Sequence, residues 1–399
     1  MIGRGIDYYL GIFREAKPFV PHLLNQALFL VSKGKMTEAF NYLWAHAFVK
    51  EEGAALGEPF YRRNPDWAPY PQRIELEVTN QCSLRCQKCE HTYWKEKSRT
   101  MSFEEFKHIL EQFPTLKAIS LSGIGHGMER KDVYFKMLEY LRKRSIFIQF
   151  FDTLLFADEE TAKKLINLRV NKIWMSLDAA TAETYKKLQV GSDFNVVTEN
   201  ARRLVKLKRE MKALFPELLF HFIVQKPNVK EMPDYIDLIY DITRNDPSLL
   251  KTVQFTRLIP FKENSHLVPN IPKEIVDKTI KRANEYGNFR LEMCNVPDYS
   301  ERLPLSECTA WTVPFITVDG DCYPCCSLTE GNIRHLIRGN SFGTFNVNLF
   351  KEDFREVWYS EEFRKFIKAI NKGICPKICY YPRPCPIFNI NESRVDEKI

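Results

Sequence analysis

The sequence predicts an α/β fold, a partial (β/α)6 barrel preceded by a helical extension and followed by a cysteine-rich domain. Three observations predict it. Between residues 73 and 258, β-branched and aromatic runs alternate with helical patterns, as parallel strands joined by crossover helices do. The eleven cysteines fall into two groups, three at residues 82 to 89 and eight from Cys294 onward. The first seventy or so residues read as helical and end in the proline-rich stretch Tyr61–Pro71, which disfavours helix. The predicted division is therefore residues 1–70, 71–290 and 291–399.

In the extension, Pro21–Val31 and Met36–Phe48 are the apolar helical stretches. They read as a hairpin packed on the barrel, or alternatively as a docking surface for a lipid or partner, because Leu28-Phe29-Leu30-Val31 is apolar on every face. Six strands follow: Arg73–Thr79, Leu116–Ser122, Ile146–Phe151, Val170–Leu177, Leu218–Gln225 and Thr252–Leu258. The helices between them carry apolar stripes, as in Phe103–Phe113 and Val133–Leu141. In the first strand Ile74, Leu76 and Val78 alternate with Glu75, Glu77 and Thr79, so one set faces helices and the other a polar lumen; the alternative places these glutamates in water at an open edge. Chemistry in such barrels sits in the loops after the strands.

The cysteine triplet lies in that place. Cys82, Cys86 and Cys89 are spaced C-x3-C-x2-C just past the first strand, and three thiolates can hold three corners of a cubane while leaving one iron open. Zinc is the rival, but its sites usually pair C-x2-C with a second ligand pair, and His91 is the only nearby candidate. The C-terminal group adds Cys294, Cys308, Cys322, Cys325, Cys326, Cys375, Cys379 and Cys385. Two metal sites on two domains account for the distribution most simply.

Composition narrows the classes. The net charge of +7 is spread without a block of like charges, which argues against nucleic-acid binding. No apolar run is long enough to cross a membrane, and the N-terminal residues lack the order of a signal peptide, so a cytoplasmic chain is expected. In that compartment the cysteines are expected to be ligands rather than disulfides.

On these residues the chain resembles the radical S-adenosylmethionine (radical SAM) superfamily, whose signature Cys82, Cys86 and Cys89 meet. Ser122-Gly123-Ile124-Gly125 is similar to the family's glycine-rich turn near the methionine moiety, Ser176-Leu177-Asp178 to its ribose-contacting stretch, and Phe194–Asn200 to the helix that follows. Gly123, Gly125, Ser176 and Asp178 are thus the implied cofactor contacts. The chain departs from the family's pattern at Gly125-His126-Gly127, where Gly-Glu-Pro is usual, at Lys88, at Phe151-Asp152-Thr153 and at Gln189. The run C-x11-G-x4-C from Cys308 through Gly320 to Cys325, then Phe342-Gly343, Val357–Arg364 and Cys375-x3-Cys379-x5-Cys385, resembles the SPASM extension or its shorter twitch form. The resemblance implies one auxiliary 4Fe-4S cluster on Cys308, Cys325, Cys379 and Cys385, with Cys375 next in line; two clusters are the alternative, although the cysteine expected four residues after Cys385 is Asn389. Cys294, Cys322 and Cys326 read as buried small hydrophobes.

What the resemblance implies is an enzyme that reductively cleaves S-adenosylmethionine to a 5'-deoxyadenosyl radical and abstracts hydrogen from an unactivated C–H bond. The auxiliary cluster would assist oxidation or relay electrons, and a flavodoxin or ferredoxin would supply them. A small molecule, a peptide or a lipid remains open as substrate, contact with a membrane surface is conceivable from the apolar extension, and a non-catalytic electron carrier is the competing class. His126 and Asp152 follow strands two and three and are the candidate acid-base groups.

Overall fold

The computed structural model describes residues 20–48, 64–93, 97–244, 250–298, 302–328, 347–380, 385–386 and 388–396. Residues 1–19, 49–63 (with the start of the proline-rich stretch) and Phe342-Gly343 lie outside the described residues. The six expected strands are present: β1 (Arg73–Leu76), β2 (Ala118–Leu121) and β4 (Lys172–Ser176) are trimmed, while β3 (Phe147–Asp152), β5 (Glu217–Val224) and β6 (Lys251–Arg257) keep the expected length and are displaced by one residue. A seventh, β7 (Phe289–Cys294), pairs parallel with β6 and runs across residue 290, where the sequence reading began the C-terminal segment. Its side chains are all half-buried, so it lacks the alternation that marks the other strands.

All seven pair parallel, in sequence order, in one sheet. Residues facing the helices form one apolar wall, including Ile74, Ile119, Ile148, Ile173, Phe220 and Val253, all fully buried. The crossover helices cover this wall. Among them α3 (Phe103–Glu111) buries Phe106, Ile109 and Leu110 and opens with a capping box: Ser102 Oγ accepts from Glu105 N at 3.2 Å, and Glu105 Oε2 accepts from Ser102 N at 2.8 Å. The opposite face carries polar residues at matching heights. Ser176, His221, Gln254 and Glu292 form one row across β4 to β7.

The sheet does not end at β1. Two short strands of the C-terminal segment, β8 (Phe315–Ile316) and β9 (Asp321–Tyr323), extend it, β8 parallel to β1 and β9 antiparallel to β8. Backbone bonds from Glu75 N to Pro314 O (3.0 Å) and Glu77 N to Ile316 O (2.9 Å) weld the two domains. An aromatic cluster adds to this: Phe113, after α3, meets Phe354 at 4.8 Å between ring centres, with Tyr70 and Trp358 alongside.

The described part of the extension is a helical hairpin, α1 (Val20–Ser32) and α2 (Met36–Phe48), turned at Gly34, whose φ of +70° suits glycine. It packs on the barrel, the first of the two readings given above. Ala27, Leu30, Ala39 and Tyr42 contact Ala118, Phe147 and Phe215, which lie at or near the N-terminal ends of β2, β3 and β5. The hairpin therefore closes the bottom of the barrel, at the opposite end of the strands from the cysteine triplet. Polar bonds fix it: buried Glu38 pairs with Arg142 (3.1 Å) and Arg169 (2.8 Å), and Tyr42 donates to Glu217 Oε1 at 2.6 Å. Removing one partner of such a buried pair costs about 3–5 kcal/mol.

Two groups under the hairpin make its docking sensitive to acid. Burial pushes the Glu217 carboxyl up, but a hydrogen bond with His22 and the charge of Lys172 overcome this and bring it to about 2. Burial, reinforced by Lys172, lowers the His46 imidazole to about 3. Both bind fewer protons folded than unfolded. Their stabilisation is complete above their ordinary values, 4.5 and 6.5, and is lost as pH falls toward 2 and 3 respectively. Denaturant unfolding followed by tryptophan fluorescence should show stability declining from pH 6.5 downward. Glu217→Gln should make that decline shallower below pH 4.5, where the share due to His46 persists down to about pH 3.

Candidate functional site

The cysteine loop leaves β1 and is shaped by a short ribbon. Arg85 and Cys86 pair antiparallel with Val190 and Gln189, and Cys89 N donates to Cys86 O at 3.0 Å, folding the loop back on itself. Cys82, Cys86 and Cys89 are half-buried and near enough to act on one another electrostatically. Burial pushes the Cys86 thiol up, and it raises Cys89 to about 12. Thiols in this state ionise readily only beside a strong positive charge, which bound iron provides. Among the described residues the metal-competent group with ligand atoms within 4.8 Å of one another is Cys82, His126 and Glu129, and it takes in neither His91 nor Cys86 and Cys89.

Beneath the triplet lies the glycine-rich turn. The Glu77 carboxylate is fully buried rather than solvated and accepts from Ile124 N at 2.9 Å and Val318 N at 3.4 Å. Gly123 has a φ of +150°, and a Cβ there would meet Glu77 Cγ at 2.5 Å. A Cβ on Gly125 would overlap the Thr79 carbonyl oxygen. Both glycines are thus required by close backbone approach, independently of any ligand. His126 Nε2 and Asp152 Oδ2 are 2.9 Å apart, so the two acid-base candidates are partners of each other. Burial disfavours the imidazolium, but the Asp152 carboxylate outweighs it and holds His126 well above its ordinary pKa.

Ser176 ends β4, and Asp178 lies two residues beyond it in the turn that follows. Asp178 is fully buried; its Oδ1 accepts from Ile223 N at 2.9 Å, and Oδ2 forms an ion pair with Lys88 of the cysteine loop. Gln189 joins the same turn to the ribbon, accepting from Asp178 N at 3.0 Å and donating to Ser176 O at 3.2 Å. Lys88 and Gln189 are the organising residues that sequence reasoning passed over. Both were visible as departures from the family's pattern, and both departures bear on one turn. Further into the barrel, burial and the Lys88 charge lower His221 to about 3, and its Nε2 lies 3.0 Å from Thr256 Oγ1.

The C-terminal cysteines converge separately. Cys308, Cys325, Cys379 and Cys385 line one largely apolar cavity together with Trp311 and Phe366. Cys325 and Cys379 are pushed well above the ordinary thiol value by burial first, and then by the neighbouring thiols of this set. The backbone bond from Cys385 N to Cys379 O, 3.0 Å, and the bond that the Trp311 indole Nε1 donates to Cys308 O, 3.1 Å, hold the set. Cys375 is buried at its edge, with its thiol donating to Pro376 O at 3.4 Å. Of the three cysteines expected as buried hydrophobes only Cys322 is buried, inside the sheet extension; Cys294, at the edge-strand end of β7, and Cys326, opening a short helix, are half-buried, and none of the three lines the cavity.

Known proteins share this arrangement. Residues 76–239 match the family described as the radical SAM superfamily, and residues 308–386 match SPASM, an iron-sulfur cluster-binding domain. The chain belongs to the radical SAM superfamily and carries a C-terminal SPASM domain. A Pyrococcus furiosus protein named tungsten-containing aldehyde ferredoxin oxidoreductase cofactor-modifying protein is 24% identical over 311 residues, 73% of this chain and 82% of that protein. A probable GTP 3',8-cyclase of Methanocaldococcus jannaschii is 27% identical over 269 residues, 63% of this chain and 84% of that protein. Among solved structures, Streptococcus suis SuiB bound to S-adenosylmethionine superposes with a TM-score of 0.61 at 13% identity, covering 90% of this chain and 92% of SuiB.

Membership brings a 4Fe-4S cluster and S-adenosylmethionine as the cofactors of this radical SAM protein. The residues present fit them. Three mutually interacting thiols share one loop, which packs against the Gly123–Gly125 turn where only glycine fits, and four buried thiols share one cavity in the SPASM domain. Anaerobic reconstitution with iron and sulfide should therefore lose about four irons per chain in Cys379→Ser and none in Cys322→Ser, by colorimetric iron determination. Gly125→Ala should keep its iron yet bind S-adenosylmethionine at least about tenfold more weakly in equilibrium dialysis, about 1.4 kcal/mol, because the turn must move off Thr79.

Proposed function

We propose that the chain is a radical SAM modifying enzyme that oxidises a polar substrate at an unactivated C–H bond. The observation that carries this reading is the thiol triplet whose loop is tied by Lys88 to Asp178, just past the strand that begins the polar row Ser176, His221, Gln254 and Glu292, with a separate four-thiol pocket in the SPASM domain. With its cofactors bound, such a site would supply one-electron cleavage of the S-adenosylmethionine sulfonium and, through it, removal of a hydrogen atom from the substrate.

The chain's own residues do the remaining work. Cys82, Cys86 and Cys89 would hold the cluster. Gly123 and Gly125 would receive the methionine end of the cofactor, and Ser176 and Asp178 would belong to the turn toward its ribose. Because Asp178 is engaged by Lys88 and Ile223, its contribution in this state is to hold the turn and the cysteine loop together. The helical hairpin and the apolar wall exclude water from below and behind, which a reactive radical requires. His221 stays neutral at working pH and serves as a hydrogen-bonding wall rather than a charge. The four thiols of the SPASM pocket would hold an auxiliary cluster as a full set of cysteine ligands, and that cluster would supply an acceptor for the electron removed when the substrate is oxidised. A flavodoxin or ferredoxin supplies the first electron.

The polar row favours a polar substrate over a lipid, and the hairpin, at the other end of the strands, cannot present a lipid to the triplet. The Pyrococcus furiosus relative, named for modifying a cofactor, supports a maturase or cofactor-modifying role. SuiB has been seen with its precursor peptide SuiA, but at 12% identity that likeness concerns the fold alone.

Reduction of the loaded protein with dithionite and S-adenosylmethionine should yield 5'-deoxyadenosine by chromatography, and Cys86→Ala should yield none. An equal yield from Cys86→Ala, or none from a fully loaded parent that binds S-adenosylmethionine, would refute the reading.

A further inference from the structure

The outward face of the α1–α2 hairpin has no use in the function proposed above. Val20, Leu24, Leu28 and Val31 on α1, and Met36, Phe40 and Leu43 on α2, are all exposed, Leu28 by 64% and Met36 by 63%. Their spacing of three and four places each set on one side of its helix. Nearly half of the large exposed apolar side chains among the described residues lie on these two helices. The other described exposed positions of the pair are Pro21, Asn25, Ser32 and Thr37, so no charge interrupts the face. Glu38, the one acidic residue of the hairpin, is buried inward against Arg142 and Arg169.

Cations occupy its edge. Lys33 and Lys35 are exposed at the hairpin turn, and Lys117 Nζ lies 5.5 Å from the centre of the Phe40 ring. An uncharged apolar face rimmed by lysines complements a bilayer bearing anionic headgroups: the apolar chains enter the acyl boundary while the ammonium groups meet phosphate. Each helix has 13 residues, too few to cross a bilayer, and among the described residues no helix is long and apolar enough to do so. The fit is to lying in the surface.

We propose that the hairpin is a peripheral membrane anchor that seats the protein on anionic lipid surfaces. Because the hairpin closes the N-terminal ends of the strands and the cysteine triplet lies at their C-terminal ends, the anchored enzyme turns its catalytic face away from the bilayer. The bilayer is then a place of attachment and not a source of substrate.

The test is co-sedimentation of the full chain, loaded with iron, with vesicles of phosphatidylcholine and phosphatidylglycerol at about three to one, and with pure phosphatidylcholine. Binding to the mixed vesicles is expected, weakened by salt and by Lys33→Glu with Lys35→Glu. Leu28→Asp with Phe40→Asp should lower the bound fraction at least about tenfold while iron content and circular dichroism stay at the parent's level. Should that variant fail to fold, Leu28→Gln with Phe40→Gln replaces it, with the same direction expected. Binding to neither vesicle, or binding that these substitutions leave intact, would overturn the proposal. So would a dimer by light scattering that Leu28→Asp dissolves in a protein that ignores vesicles, since the face would then belong to a second copy.

Discussion

A single buried carboxylate holds together the parts on which this structure depends. Glu77 sits at the point where β1 gives way to the cysteine loop, and one of its oxygens takes the Ile124 N–H of the glycine-rich turn while the other takes the Val318 N–H of the SPASM domain. Three chain segments, separated by tens to hundreds of residues, meet on one side chain. A buried carboxylate is tolerated only where its lone pairs are satisfied, so the positions of the turn and of the SPASM hairpin are tied to that of the first cysteine. Gly123 pays for this proximity with a conformation that other residues resist, since any Cβ would lie against the Glu77 side chain.

The architecture was readable because its signals are local and periodic. Val, Ile and Phe runs with charged helices between them can hardly be packed except as parallel strands, and C-x3-C-x2-C needs no neighbours to be recognised. The same local logic placed Cys322 in the core, where it lies in the ladder opposite Ile316. What could not be read depends on distant partners. β7 lies at the sheet's far edge with every residue half-buried, and so shows neither alternation nor a continuous apolar run. Glu77 looked like any glutamate on an alternating strand until Val318, far along the chain, came to meet it. Lys88 and Gln189 stood out only as breaks in a family pattern, and their meaning emerged when both reached the turn at Asp178.

The Lys88–Asp178 pair also shows how this chain solves a problem in its own way. A cysteine loop must be held firmly enough to keep three thiols convergent, yet loops gain little from apolar packing. Here the loop is pinned from two sides, by backbone pairing of Cys86 with Gln189 and by a charge pair driven into the barrel at Lys88. Burial lowers the proton affinity of His221, and the same lysine adds to that effect, so the residue that anchors the cluster loop also helps to keep the chamber wall neutral there.

The pairing of β8 with β1 bears on whether the enzyme can be divided. Barrel and SPASM domain are joined along a strand, so cutting the chain after β7 would bare the N–H and C=O groups of β1 as a fresh sheet border, and such borders recruit other chains. A barrel expressed alone would be an aggregation hazard rather than a simpler enzyme. Evolutionary exchange of the C-terminal domain faces the same requirement: any replacement must arrive with a strand that fits the register Glu75 opposite Phe315.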